Sequence, residues 1–423
     1  MEKISKKTPT PKKSKEKQKK ELKNTSSSKK KEKSQKKIKS KKNNPIVFSI
    51  YLGTYEGKLI VNNINIKSKE NISNFSLTSS PSAIRTIYHK LNSLFVSGTD
   101  EVIHMYNIHK KLSEGDLMTY SGTVNDIKIH DNYLIVAGEN NTIPIWRMSD
   151  FNNIIELKGH KKAINSIDMH ASGGFLVSGG RDNCVIIFDL LTGRKVEKFE
   201  FDYICNKVQL FDKDKYLMVV FDLHIYILDL MKNGNNENDN NIIQKLNFTK
   251  KIINAYIIKN KLVIVFSDAE IKTYELNIKE EDNNNNNEKN NENKEEQEEK
   301  KEDKEEKESI EEDKEKEDKQ DEKIVNINSE LKIVLEKPEK KNENDLEIRV
   351  RYVSISKIDK IKIITISFSN NEVYFYDLNK IIKLEELENK MEEKDNNKLI
   401  KKYGKIQYNI PGKITALDTE LTK

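Results

Sequence analysis

The sequence predicts an all-β fold, a β-propeller of seven blades. Short runs rich in Val, Ile, Leu, Tyr and Phe alternate with turn residues from about Pro45 onward, the pattern of strands joined by tight turns. One run recurs at 59–62, 103–106, 143–146, 185–188, 225–228 and 271–274, and again at 373–376. The spacing is about 40–46 residues until the last repeat, a period that marks propeller blades. A further run at 414–421 has no partner nearby in sequence and completes the first repeat.

Residues 1–44 precede the first strand. They hold Lys, Ser, Thr and Gln with Pro9 and Pro11, about fifteen excess positive charges and almost nothing to bury, so a disordered basic tail is expected. The propeller is expected over 45–421. Its first repeat, IVFSIYLGTYEGKLIVNNI (46–64), has no first strand of its own. SLFVSGTDE (93–101), YLIVAGENN (133–141) and GFLVSGGRDN (174–183) each carry a short continuous apolar run ending in small or acidic residues. Such a run fits a second strand covered on both faces by neighbouring blades. Gly98, Gly138 and Gly179 are expected to make the tight turn into the third strand.

An insertion separates repeats six and seven. Residues 279–323 carry about eleven excess negative charges and no apolar periodicity, and a disordered acidic insertion is expected. The fold resumes at LKIVLE (331–336), the expected outer strand of blade six. The insertion then sits in a loop, where added length costs little. In blade seven, KIIKLEELENKMEEK (380–394) spaces Ile382, Leu384, Leu387 and Met391 for a short surface helix. KIQYNI (405–410) and ITALDTEL (414–421) follow. Assigning 414–421 to blade one as its missing first strand joins the chain ends and removes the open sheet edges.

Of the 423 residues, 34% are charged, too polar a balance for one compact domain throughout. The net charge of +6 hides the opposed blocks at 1–44 and 279–323. Cys184 and Cys205 form no CxxC pair, which fits a reducing compartment. No apolar run has the length to cross a bilayer, and the basic N-terminus lacks the apolar core of a secretory signal.

Blade four carries the most complete polar set. Gly159 and His160 lie at the turn into its first strand, Ser178 on its second, and Asp182 in the turn before its third. These types make the buried hydrogen-bond chain of a WD repeat, His to Asp on one side and His to Ser on the other. The usual fourth member, a Trp, is Phe188 here. The lone Trp146 holds that position in blade three, where Ser121 stands in place of a His. His160, Ser178 and Asp182 also match the types of a hydrolase triad, but the nucleophile-elbow pattern is missing, so the set reads as structural.

His89, His104, His109, His130, His170 and His224 are scattered without HxxxH spacing, and no metal site is expected. His104 falls inside a strand, as a packed or rim side chain. No Gly-rich phosphate loop opens a helix, and no cofactor is expected. The lysine blocks PKKSKEKQKK (11–20) and KKKEKSQKKIKSKK (29–42) read as a nuclear or nucleolar address that also touches RNA phosphates. Without interleaved aromatics, such contact is nonspecific. The acidic insertion reads as a solvated loop, with charge alone speaking for engagement of basic partners.

Residues 94–201 resemble a WD-repeat family, the PAK-interacting proteins and their fungal maintenance-of-killer relative. The resemblance is carried by SGTDEVIHMYNIHKKLSEGDLMTYSGTVNDIKI (97–129) and LIVAGENNTIPIW (134–146). The family's acidic turn corresponds to Asp100 and Glu101, and its following strand to Ile103 and Tyr106. Its basic linker corresponds to Lys110, Lys111, Glu114, Gly115 and Leu117, and its Ser-Gly-Thr to Ser121, Gly122 and Thr123. Trp146 closes the match, and LGTYEGKLI (52–60) is similar to the family's opening strand pair. Tyr120 departs from an expected His, Arg147 from an expected Asp, and the basic segment lies at the N-terminal rather than the C-terminal end.

The resemblance implies a nucleolar factor in large ribosomal subunit assembly. Its partners would be pre-ribosomal particle proteins, with rRNA touched through the basic tail. In animals the family is also described as a negative regulator of PAK-type kinases. Neither role involves a membrane, and a monomer within a larger assembly is expected. An enzyme using the central channel is the competing class. It lacks clustered Asp, Glu or metal-ligand sets near any blade turn.

Overall fold

The computed structural model describes residues 46–231, 241–276, 325–335, 347–381, 398–400, 404–407 and 413–422, with position 338, and apart from isolated positions 67, 69, 120, 259 and 359. The expected tail (1–44) and acidic insertion (279–323) lie outside the described residues, as does Tyr120.

Seven antiparallel sheets form a β-propeller among the described residues. Blade one joins Ile414–Thr422 to Val47–Thr54, Lys58–Asn65 and Asn71–Thr78. Blade two is Ile84–Lys90, Ser93–Gly98, Val102–Asn107 and Leu112–Met118. Blade three is Val124–His130, Tyr133–Gly138, Thr142–Arg147 and Asn153–Lys158. Blade four is Ile164–Met169, Phe175–Gly180, Cys184–Asp189 and Arg194–Glu200. Blade five is Lys207–Phe211, Tyr216–Val220, His224–Asp229 and Ile242–Asn247. Blade six is Ile252–Ile258, Lys261–Phe266, Glu270–Leu276 and Val325–Leu335, with Lys398–Ile400 added in parallel outside it. Blade seven is Val350–Ile358, Ile361–Phe368, Glu372–Asp377 and Gly404–Gln407.

Closure comes from the last strand, where Val47 pairs with Thr422 and Gly53 with Ala416. The outer strand of blade six begins at Val325, six residues before the expected start. The fifth strand at Lys398–Ile400 was not expected.

The core follows from strand alternation. Successive side chains on a second strand point to opposite faces. Leu94 and Val96 therefore pack toward blade one, with Tyr51 and Leu59, while Phe95 packs toward blade three, with Leu134 and Val136. One such apolar cluster fills each of the seven gaps between neighbouring blades. A fully buried Phe or Leu in one of them contributes about 1.5–3 kcal/mol over its exposed state.

Two local expectations are corrected. Gly98, Gly138 and Gly179 end or lie within second strands and do not make the turn. They are needed for close approach: a Cβ would strike the Ala83 carbonyl at Gly98, the Ser121 carbonyl at Gly138, and Cys205 Sγ at Gly179. The left-handed turn residue stands one place before the third strand instead, at Gly57 (φ 73°), Glu101 (60°), Asn183 (62°), Ala269 (67°) and Asn371 (63°). In blade seven the described helical turn is 378–381, and Leu378 and Ile381 are buried in the core rather than lying on the surface. Ile382, Leu384, Leu387 and Met391 lie outside the described residues. No described helix is long and apolar enough to cross a membrane.

Candidate binding site at the mouth of the central channel

In six blades the pairing of the inner strand with the second strand slips by one residue. The slips fall at Thr415, Arg85, Asn125, Asn165, Ile253 and Arg351. Each is a β-bulge, which leaves one residue out of the ladder and re-aims its side chain. All six stand second on their strands, so they form a ring at one end of the channel. Blade five pairs without a slip.

Side chains of the inner strands then tie each blade to the next. Thr415 donates its hydroxyl to the Ile84 carbonyl. Thr86 donates to Val124 O at 2.9 Å, Asn125 Nδ2 to Ile164 O at 2.9 Å, and Asn165 Nδ2 to Cys205 O at 2.8 Å. Lys207 Nζ donates to Ala255 O at 2.7 Å and Tyr256 Oη to Val353 O at 2.7 Å. Ser354 Oγ, 2.9 Å from Thr419 Oγ1, returns the circuit to blade one. Bonds of this kind contribute about 0.5–1.5 kcal/mol each.

Three carboxylates reinforce the circuit. Asp418 Oδ2 accepts the His89 backbone N–H at 3.2 Å and lies 2.6 Å from His89 Nδ1, while Oδ1 accepts Thr419 N–H at 2.8 Å. Asp126 Oδ2 accepts Ile167 N–H at 3.0 Å and the Ser166 hydroxyl at 3.2 Å, while Oδ1 accepts Ile127 N–H at 2.9 Å. Asp168 Oδ2 accepts Leu210 N–H at 2.8 Å, while Oδ1 takes the Lys128 ammonium at 3.2 Å. Burial raises the Asp126 carboxyl. Burial opposes the charge on Lys128, but Asp168 and Asp126 outweigh it and raise that amine. Burial, reinforced by the Lys128 charge, pushes the Lys207 amine down to about 7. Its Nζ lies 3.7 Å from the Tyr256 ring centroid and donates to Asn254 Oδ1 at 2.8 Å.

The sequence does not announce this cluster, because its members stand away from the blade turns. The groups lie mid-strand, where residues about forty positions apart come together around the axis. The signal was present in the repeated inner-strand pattern of VNDIK (124–128) and INSID (164–168), with polar residues at the third and fifth places. A cavity of about 430 Å³ opens beside these strands. Arg85, Asp126, Lys128, Tyr256, Arg351 and Asp418 contribute to its lining.

In blade four, His160 Nδ1 lies 2.9 Å from Asp182 Oδ1, and Nε2 lies 2.8 Å from Ser178 Oγ. Burial pushes the imidazole below its ordinary value, against the pull of Asp182. A neutral ring with its proton on Nδ1 donates to Asp182 and accepts from Ser178. Burial works to raise Asp182, but the Lys161 N–H at 2.7 Å and His160 hold it below the usual carboxylate range. Ser178 Oγ also lies 3.3 Å from the Ile186 carbonyl, beside the buried Phe188. His160 is 4% exposed and Ser178 0%, which leaves the hydroxyl no path to a substrate.

Blade two holds a second polar network. Asp100 Oδ2 accepts from Ser80 Oγ at 2.7 Å and lies 3.0 Å from His104 Nε2; His104 Nδ1 lies 2.8 Å from Asp116 Oδ1. Ser80 holds the place that His160 holds in blade four, four residues before the inner strand, so Asp100 and Asp182 are equivalent. Burial works to raise Asp100, and Ser80 and His104 outweigh it.

The other family-signature residues are spread along blades two and three. Glu101 offers its carbonyl to both Thr119 N–H and Thr119 Oγ1 at 3.1 Å. Ile103 is buried, and Tyr106 Oη donates to Ser79 Oγ at 3.0 Å. Gly115 (φ 125°) and Gly122 (φ 66°) take backbone conformations that favour glycine. Trp146 packs in the cluster between blades two and three, and its buried indole N–H has no partner among the described residues. Asp100 belongs to the blade-two network with Ser80 and His104, and Tyr106 to a separate pair with Ser79. Among the described residues, no group of three His, Cys, Asp or Glu is placed to hold a metal ion.

Residues 151–189 match the family model described as "WD domain, G-beta repeat". The chain is 28% identical over 196 residues to the p21-activated protein kinase-interacting protein 1-like of Danio rerio, covering 44% of this chain and 49% of that protein. It is 23% identical over 227 residues to the protein of the same name from Xenopus laevis, covering 52% and 60%. To Protein MAK11 of Saccharomyces cerevisiae it is 23% identical over 193 residues, covering 37% and 46%. The chain thus spans about half the length of the curated relatives it matches. With the seven sheets, these matches describe a WD-repeat β-propeller similar to the p21-activated-kinase-interacting and MAK11 proteins.

Proposed function

We propose that the protein is a non-catalytic scaffold in assembly of the large ribosomal subunit, working in the nucleolus as a monomer within a larger particle. The observation that carries the non-catalytic part is the state of the channel acids. Both oxygens of Asp418, Asp126 and Asp168 accept hydrogen bonds, most from neighbouring strands. An acid so engaged is committed to holding blades together, which supports the non-catalytic reading. His160, Ser178 and Asp182 are read in the same way, as the pin of blade four. The assembly role is supported by the likeness to MAK11 and by what the family resemblance implies. Two lysine blocks at 11–20 and 29–42 suit retention on rRNA phosphates.

A second reading, binding of a PAK-type kinase, is favoured by the names of the Danio and Xenopus relatives. Affinity purification of the full chain with mass spectrometry separates the two: large-subunit precursor proteins are expected, and recovery of a kinase without them overturns the first reading. The full chain is expected to concentrate in nucleoli. A chain beginning at Pro45 is expected to be more diffuse and to cosediment with precursors less tightly.

A further inference from the structure

Arg85 and Arg351 break the pattern of the bulge ring. At the same place Thr415, Asn125 and Asn165 use their side chains to reach the backbone of the next blade. In blades two and seven that tie has moved along the strand, to Thr86 and Ser354. The bulge position is thereby released from holding the ring together, and both blades place an exposed arginine there. Neither guanidinium has a hydrogen-bond or ion-pair partner among the described residues. Both line the 430 Å³ cavity, one on each side of blade one. Tyr352, on the same wall, feels both charges: burial pushes its phenol up, and Arg85 and Arg351 pull against that shift.

We propose that the channel mouth between Arg85 and Arg351 binds an acidic side chain, Glu or Asp, presented by a segment of a partner protein. Guanidinium forks match carboxylates in two-point hydrogen bonds, and a partly enclosed cavity screens them less than open surface does. The surroundings select the occupant. Asp126 and Asp418 line the same cavity, so a single carboxylate meets less repulsion there than a phosphate dianion. In the turns of blades one to three, nearest Arg85, Glu56, Glu101 and Glu139 add to that repulsion for the further phosphates a nucleic acid would carry. The volume suits two or three side chains, as an anchor within a larger interface. This inference rests on the scaffold reading only in taking the partner to be a protein.

The test uses the full chain and a synthetic peptide, six glutamates flanking one benzoylphenylalanine, photo-crosslinked and mapped by mass spectrometry. Crosslinks are expected on 84–90 and 350–358, and also on the lysines of 1–44, which serve as an internal reference. Arg85→Gln with Arg351→Gln is expected to cut the crosslinks on the two inner strands about tenfold and leave those on 1–44 unchanged. Both arginines are exposed, so the melting temperature should stay within about 2 °C. Crosslinks confined to 1–44, or inner-strand crosslinks that survive the double substitution, would overturn the proposal. So would labelling of the mouth only by a phosphoserine peptide or an oligouridine carrying the same crosslinker. The assembly reading fails separately, on co-purification.

Discussion

Asp418 and His89 meet across 329 residues of sequence, with the carboxylate oxygen 2.6 Å from the imidazole nitrogen. The contact ties the last strand of the chain to the inner strand of blade two. Burial acts to lower the His89 pKa, and Asp418 outweighs it, so the imidazole is raised above its ordinary value. A group raised on folding stabilises fully below its unfolded pKa, about 6.5 for His. That contribution is lost as pH climbs through the folded value. Wild type is therefore expected to lose stability relative to His89→Gln as pH rises above about 6.5. Melting curves of both proteins across that range provide the check, and a constant difference would show that His89 does not titrate there.

Replacing His160 by Ala removes the central member of the blade-four chain. Asp182 keeps the Lys161 N–H, but Ser178 is left in a dry site with only the long contact to Ile186. The expected loss is about 1–3 kcal/mol by urea denaturation, without an effect on the Glu-peptide crosslinks at the channel mouth. A loss below about 0.5 kcal/mol, the level of an ordinary surface change, would contradict the role of this chain.

Two glycine-related substitutions should act in opposite directions. Gly179→Ala drives a methyl into Cys205 Sγ and Val208, and overpacking of that kind costs about 1–3 kcal/mol. Glu101→Gly relieves a left-handed residue at φ 60° that is exposed to solvent, and is expected to stabilise by up to about 1 kcal/mol. Unfolding midpoints that move in the reverse sense would mean the turn and close-approach roles have been exchanged.

Removing residues 413–423 takes away the inner strand of blade one together with Asp418 and Thr419. The truncated protein is expected to aggregate or melt without cooperativity, because the edge of Val47–Thr54 is then open and blades seven and one lose the strand between them. A soluble truncation with a single sharp transition would show that the ring closes by other means.

The repeat and its closure were legible because apolar periodicity is a local property, readable wherever a strand such as 134–136 is covered on both faces. The polar chain of blade four was legible because its residue types sit at fixed offsets within one repeat. The channel was not. Asp126, Lys128, Asp168 and Lys207 are ordinary polar residues in their own strands, and only the ring brings them together. Arg85 and Arg351 are more hidden still, since each matters by differing from Asn125 and Asn165 at the same place in other blades. The fifth strand at Lys398–Ile400 is three residues long, too short for a period to show.

Assigning the inner strand of blade one to the far end of the chain shapes how the molecule is made. Val47–Thr54 leaves the ribosome early, and its partner Ile414–Thr422 is synthesised about 360 residues later. At roughly 5–20 residues per second, the nascent arc of blades waits on the order of tens of seconds with that strand's edge unpaired. Through that interval the backbone groups of Val47–Thr54 are a template for any other extended chain, so a chaperone that covers an exposed strand edge has its opening here, before translation ends.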